Sequence, residues 1–181
     1  MSLAMSKDER EAFLAALHVG VISLEEKGRG PLTVPIWYAY EPGGEVRFLT
    51  DRDSRKGRLI QVGRRISFLA QSEQVPYAYV SVEGPIVSVE RSDRDRDALP
   101  IAQRYLGAEL GRQYVAATAA ERESGGGSIL VRMRPERWLT VDYRSSSATK
   151  SADEAGQRDQ CARGRASRDH VHEAAIGCDC G

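Results

Sequence analysis

The chain has 181 residues, enough for one ordinary domain with an appendage. Its 26 basic side chains balance 26 acidic ones, so no bulk charge draws it to nucleic acid or to an anionic membrane, and any basic patch must be local. No apolar run approaches the roughly 18 residues of a membrane span, and the opening MSLAMSKDER carries no signal-peptide core; a cytoplasmic protein is expected.

The first predicted element is a helix. Ser6 caps it, acids fill the next turn, and Phe13, Leu14 and Leu17 form its apolar stripe. HVGVISLEE then reads as a strand from His18 to about Leu24. The turn KGRGP leads to a second strand, LTVPIWYAYE, and PGG makes a tight return to a third, EVRFLT. Pro35 lies inside the second strand. It has no amide to give a ladder, so it is expected at an edge, at a bulge, or where the backbone faces something else.

A cationic turn follows, DSRKGR, and opens a short helix through about Val62. RISFLAQ is a fourth strand and YAYVSVEGPIVSVE a long fifth one, bent or bulged at Gly84-Pro85. SDRDRDALPIAQRYLG, broken near Pro100, and AELGRQYVAATAAERE are helical. After SGGG comes the last strand, SILVRMRPERWLTVD, interrupted by Pro135. The sum is a mainly β chain: six mostly antiparallel strands with peripheral helices, short enough and closely enough connected to curl into a barrel. No internal repeat is present.

No Phe, Tyr or Trp occurs after Tyr143. Such a segment buries too little apolar surface to offset its ordering entropy, so residues 1–143 are the expected domain and 144–181 a largely disordered tail. All three cysteines, Cys161, Cys178 and Cys180, fall in that tail. The folded body therefore has no disulfide scaffold, which fits a reducing compartment. His170, His172, Cys178 and Cys180 are possible zinc or copper ligands, but their spacing is not that of a structural zinc site, and no metal is expected.

The cationic turn calls for an explanation. Ser54, Arg55, Lys56 and Arg58 crowd together where a strand hands over to a helix, and Thr50 ends that strand. A helix start offers unpaired amides, and hydroxyl and ammonium groups there give a phosphate charge-assisted hydrogen bonds. The plainer reading is that these cations are solvated and paired with Asp51 and Asp53. Aromatics shift the balance: beside Pro35, Trp37 and Tyr38 lie on opposite faces of the second strand, and the fifth repeats aromatics at Tyr77 and Tyr79. That is more than a half-solvated sheet requires, and it suits a core, a subunit interface, or a planar ligand in the seam between them.

Taken in order, HVGVISL, GPLTVPIWYAYE, VRFLTDRDSRKGRLI, RISFLAQ and PYAYVSVEGP resemble the pyridoxamine 5'-phosphate oxidase-like family, over about residues 8–143. They are most similar to its actinobacterial branch of FMN- or deazaflavin-dependent oxidoreductases. The resemblance implies a split β-barrel and a homodimer with two cofactor sites at the subunit interface. It implies that Val34, Pro35, Ile36 and Trp37 run beside the ring. Thr50, Ser54, Lys56 and Arg58 hold the phosphate on this reading, with Arg55 among the cations around it. Gln71 lies near the ring edge, and Tyr79 or Trp138 approaches from the partner chain. The family's pyridoxamine phosphate oxidases end in an Arg-rich strand that grips substrate phosphate. Here RPERWLTVDY runs into the tail instead, so vitamin B6 oxidation is not expected.

A flavin or deazaflavin carries hydride chemistry itself, while the protein supplies position and electrostatics. No catalytic dyad is expected. His18 reads as packed or solvated, Glu83 as structural, and Tyr77, Tyr79 or bound water as candidate proton donors. The cofactor is FMN or coenzyme F420. The second has an anionic lactyl-glutamate tail, which the basic excess at Arg52, Arg55, Lys56, Arg58, Arg64 and Arg65 favours. Two other readings remain: a non-catalytic flavin- or haem-binding protein of the same fold, and a single-strand-binding barrel, which neutral net charge disfavours.

Overall fold

The computed structural model describes residues 3–124 and 126–144. Helix α1 (Lys7–Ala15) begins as its sequence dictates. The Ser6 hydroxyl accepts the Glu9 amide at 3.3 Å, and the Glu9 carboxylate accepts the Ser6 amide at 2.8 Å. This reciprocal cap satisfies two orphan donors at once. Phe13 and Leu14 are buried, but Leu17 is not part of the stripe. Ala16 turns extended and ends the helix, leaving Leu17 exposed.

The strands are β1 (Gly20–Leu24), β2 (Leu32–Ile36), β3 (Tyr38–Ala39), β4 (Val46–Asp51), β5 (Arg65–Ser72), β6 (Ala78–Arg91), β7 (Ser128–Met133) and β8 (Arg137–Asp142). All pairs are antiparallel and run in the order β2-β1-β5-β6-β7-β4-β3, with β8 on β6. The two ends of that path, β2 and β3, are successive pieces of chain joined by Trp37 alone. The sheet therefore bends round on itself into the expected barrel. It is split where β2 stays with β1 while β3 crosses to β4.

Eight strands appear where six were expected, because two of the six divide. The second divides at Trp37, where the chain changes neighbours from β1 to β4. The last divides at Pro135. Arg134 and Glu136, on either side, donate their amides to the carbonyls of Pro85 and Glu83 at 3.1 and 2.9 Å, so the chain turns across β6 and returns along its other half. Strand β6 accordingly serves both parts of the barrel: Ala78–Glu83 pairs β5 and β8, Gly84 and Pro85 continue the β5 ladder, and Ile86–Arg91 pairs β7, with the irregularity between Ile86 and Ser88 rather than at the expected Gly84-Pro85. Pro35 lies on the edge strand β2, where a missing donor costs least.

Alternate residues of these strands fill the interior. Tyr38, Phe48, Phe68, Ile22, Val80, Val82, Val131 and Met133 are essentially inaccessible. Between β6 and β7 the chain makes a helical excursion: a π-helical turn (Arg94–Ala98), α3 (Leu99–Leu106), α4 (Ala108–Ala117) and α5 (Ala119–Ser124). Pro100 does not break this segment. It occupies the first turn of α3, where its missing amide has no intrahelical partner to lose. Two side chains of α3 dock the excursion to the barrel. Arg104 donates to the carbonyls of Ala15 and Ala16 at 2.6 and 2.7 Å. The Tyr105 hydroxyl accepts the Tyr38 amide at 3.0 Å and donates to the His18 carbonyl at 2.7 Å.

Candidate functional site

Helix α2 (Arg55–Leu59) is a single turn that closes the β4 corner. The Ser54 hydroxyl accepts the Gly57 amide at 2.9 Å and donates to the Asp51 carbonyl at 2.7 Å; the Thr50 hydroxyl lies 3.2 Å from it. Gly57 is required by close approach. A Cβ there would stand 2.2 Å from the Asp51 carbonyl oxygen and 2.4 Å from that of Arg52. The turn is thus wound tightly enough to hold Thr50, Ser54 and Lys56 together. Ser54→Ala removes both bonds and is expected to cost about 1 kcal/mol of unfolding free energy, the usual value of a helix cap, read as a lower urea midpoint at unchanged slope. An unchanged midpoint would mean that the turn holds without its cap.

This corner opens onto a cavity of about 590 Å³, within the range of small-molecule sites. The cavity occupies the split in the barrel. Its floor is the free edge of β2 (Leu32, Val34, Pro35, Ile36) with Trp37. Leu49, Thr50 and Asp51 of β4 and the α2 turn form one side, and Ile101, Tyr114 and Arg122 of the helical excursion the other. Trp37 is held flat by Tyr105, ring centroids 4.9 Å apart and nearly parallel, and is tilted against Tyr114 at 5.3 Å.

Eight of the residues singled out in the sequence meet here: Val34, Pro35, Ile36, Trp37, Thr50, Ser54, Arg55 and Lys56. Their states differ. Arg55 is engaged by Glu26 in a bidentate ion pair, with Nη2–Oε2 2.5 Å. Lys56 is half-buried, and among the described residues no carboxylate pairs with it. Burial pushes its ammonium pKa down, and Asp51 opposes that only through longer-range attraction. Lys56 is thus a half-buried cation that lines the cavity, with Asp51 of the same lining acting on it only at longer range.

The remaining four residues lie elsewhere in this chain. Arg58 points away and donates to the Asp53 carbonyl of its own turn. Gln71 and Tyr79 face each other across β5 and β6 on the outward side of the sheet. Trp138 packs on the opposite side, against the core, with the Arg10 guanidinium 4.6 Å above its ring. Glu83 is exposed. His18 stacks on Phe13 at 4.4 Å, and burial holds its imidazole pKa down. Tyr77 lies against Tyr143 and, like Tyr79, does not line the cavity.

The sequence reading missed the helical wall. Tyr114 and Arg122 sit in a stretch of alternating Ala, Glu and Arg that reads as a solvated helix, and nothing in its pattern marks one face as lining a cavity. Ser128 was missed for another reason: only the β4–β7 register, with Ser128 opposite Asp51, brings it to the site.

With this geometry in hand, a family model described as pyridoxamine 5'-phosphate oxidase matches residues 6–142. The chain belongs to the pyridoxamine 5'-phosphate oxidase family. Solved structures agree at the level of fold. A conserved hypothetical protein from Mycobacterium tuberculosis shares 21% identity at a TM-score of 0.63, over 80% of this chain and 89% of that one. An F420 reductase shares 17% at 0.56, over 71% and 94%. General stress protein 26 from Bacillus anthracis shares 17% at 0.51, over 75% and 93%. No curated protein matches the sequence. In this member of the pyridoxamine 5'-phosphate oxidase family, no helix among the described residues is long and apolar enough to cross a membrane. No cluster of three His, Cys, Asp or Glu among them is placed to hold a metal. The tail residues His170, His172, Cys178 and Cys180 lie outside the described residues.

Proposed function

We propose that the cavity in the barrel split binds a flavin-type cofactor, FMN or the deazaflavin coenzyme F420, and that the protein is an oxidoreductase acting on a small organic molecule. The observation that carries this is Lys56, a half-buried ammonium with no carboxylate partner among the described residues, in the lining of a cavity shared with Leu32, Val34, Pro35, Ile36 and Trp37. A planar ring with a phosphate at one end matches both features. The cofactor would supply the hydride chemistry itself. The chain's own residues do the rest. Thr50, Ser54 and Lys56 hold the phosphate, and Val34, Pro35, Ile36 and Trp37 support the ring. The docked α3–α4 pair keeps bulk water from the Trp37 side. The name of the F420 reductase of the same fold points the same way.

Several of the cations that would favour the longer cofactor are engaged within the chain. Arg55 is paired with Glu26, Arg65 with Glu136 at 2.7 Å, and Arg58 with its own turn. FMN and F420 therefore stand level in this proposal, and their relative affinities decide between them.

A homodimer belongs to the same proposal. It is supported by one outward row across the sheet, Pro35–Val21–Leu69–Ser81–Leu139 in consecutive register, which starts at the cavity and ends at a leucine 61% exposed. Gln71 and Tyr79 share that face, so on this reading a second copy brings them towards the cavity. Trp138, on the other side of the sheet under Arg10, is not carried into the proposal.

Titration with FMN and separately with F420, followed by quenching of tryptophan fluorescence and by sedimentation, is the test. Micromolar or tighter binding of either one by a dimer is expected. Indifference to both removes the proposal. Binding without hydride transfer to any acceptor would leave the cofactor reading and make the protein a flavin- or haem-sequestering member of the fold.

A further inference from the structure

The anion site described so far is one-sided: every group assigned to it comes from β4 and α2. Across the cavity stands Arg122 of α5. Its guanidinium lies 5.6 Å above the Tyr114 ring, and one nitrogen reaches the Tyr114 hydroxyl at 3.5 Å. Among the described residues no carboxylate pairs with it; the neighbouring Glu123 is taken by Arg91 at 2.6 Å. Beside it, the Ser128 hydroxyl is buried and finds no hydrogen-bond partner among the described residues. An orphan hydroxyl of that kind is costly unless a ligand satisfies it.

The backbone explains how these two groups come to the same place. The Gly127 amide donates to the Arg122 carbonyl at 3.0 Å, and the Gly127 carbonyl accepts the Arg52 amide at 3.0 Å. The α5–β7 turn is thus bonded directly to the β4–α2 turn. Gly126 packs so closely on Asp53 that a Cβ there would meet the carboxylate at 2.3 Å. In the next ladder position Ser128 faces Asp51. Two turns from distant parts of the sequence are therefore bonded together, and Lys56, Ser54, Arg122 and Ser128 all line one cavity. Asp51 is the acid among them, and two cations outweigh it.

We propose that Arg122 and Ser128 are the second half of the anion site, so that a phosphate is gripped from both sides of the β4–β7 pair. This rests on the flavin-type reading of the cavity and deepens it. The helical excursion then supplies a phosphate ligand as well as a wall. A planar, forked guanidinium suits two phosphate oxygens at once, whereas Lys56 offers a point charge. The Tyr114 ring holds that fork in orientation before the ligand arrives.

The test compares ligands with and without the phosphate: FMN against riboflavin, and F420 against its chromophore lacking the phosphate-linked tail. Arg122→Ala is expected to weaken the phosphorylated ligand at least about fivefold while changing the other less than about twofold, the size of a lost charge-assisted contact. Arg122→Lys should recover part of the loss, and Ser128→Ala should show a smaller, equally phosphate-dependent one. A thermal melt without ligand checks that each variant folds. Unchanged affinity in Arg122→Ala, or equal weakening of both members of a ligand pair, overturns the inference and leaves the flavin reading standing on Lys56. Should the native protein bind neither cofactor, inorganic pyrophosphate becomes the probe. Amide resonance shifts at Arg122 and Ser128 that vanish in Arg122→Ala keep the two-sided anion site and discard the flavin reading. No shift discards both.

Discussion

Lys56→Ala is expected to weaken binding of the phosphorylated cofactor at least tenfold, about 1.4 kcal/mol, while the protein stays folded. Among the described residues the ammonium has no hydrogen-bond or ion-pair partner, so removing it disturbs no bond among them. The pH dependence follows from the direction of its shift. In the unfolded chain the group titrates near 10.5, and in the fold burial lowers that value. Folding therefore disfavours the charged form. The penalty is complete below the folded pKa, and it fades as pH rises through that value towards 10.5. Lys56→Met should accordingly raise the melting temperature of the ligand-free protein at neutral pH, and the gain should vanish in alkaline solution. Affinity moves the other way. The phosphate needs the ammonium, so binding declines once pH passes the lowered pKa of the ligand-free protein. Native affinity in Lys56→Ala would remove this residue from the site.

Gly84→Ala is expected to be the most damaging single-methyl change in the barrel. A Cβ at this position would stand 1.7 Å from the Arg134 carbonyl oxygen, backbone that cannot step aside. The site is where the β7–β8 turn crosses β6, held by the Arg134 amide to the Pro85 carbonyl and the Glu136 amide to the Glu83 carbonyl. Relieving the clash means breaking one or both of those bonds and lifting β8 from β6. A loss of about 3 kcal/mol or more is expected, at the upper end for a point substitution, measured by urea unfolding. Gly63→Ala is the comparison. No atom lies within 4 Å of its would-be Cβ, but its φ of +86° is left-handed, so the cost should be about 1 kcal/mol and purely conformational. Equal stability of Gly84→Ala and the native protein would mean that the crossing is looser than its geometry.

Several elements were legible from residue order because their causes are local. The Ser6–Glu9 cap and the exclusion of Pro35 from a central ladder position each follow from chemistry within a few residues. So does the cap of α2 by Ser54, since the donor it satisfies is three residues away. The strand count differs because apolar alternation continues through Trp37 and does not reveal a change of neighbour, while at Pro135 the core-facing set passes from Val131 and Met133 to Trp138 and Thr140 across a polar stretch.

By itself, then, the order of amino acids determined the antiparallel β character, the positions of the turns, and a cationic corner at residues 50–58 that can receive phosphate. Only the tertiary structure decided which cations are available. It paired Arg55 with Glu26, turned Arg58 onto its own backbone and left Lys56 unpaired in the barrel split. It alone brought Arg122 and Ser128 to the same corner, through the β4–β7 ladder and the Gly127 bonds. The physical reason is the range of the forces involved. Caps and turns are satisfied by near neighbours along the chain. The state of a charge depends on whatever distant segment the closing barrel brings within a few ångströms of it.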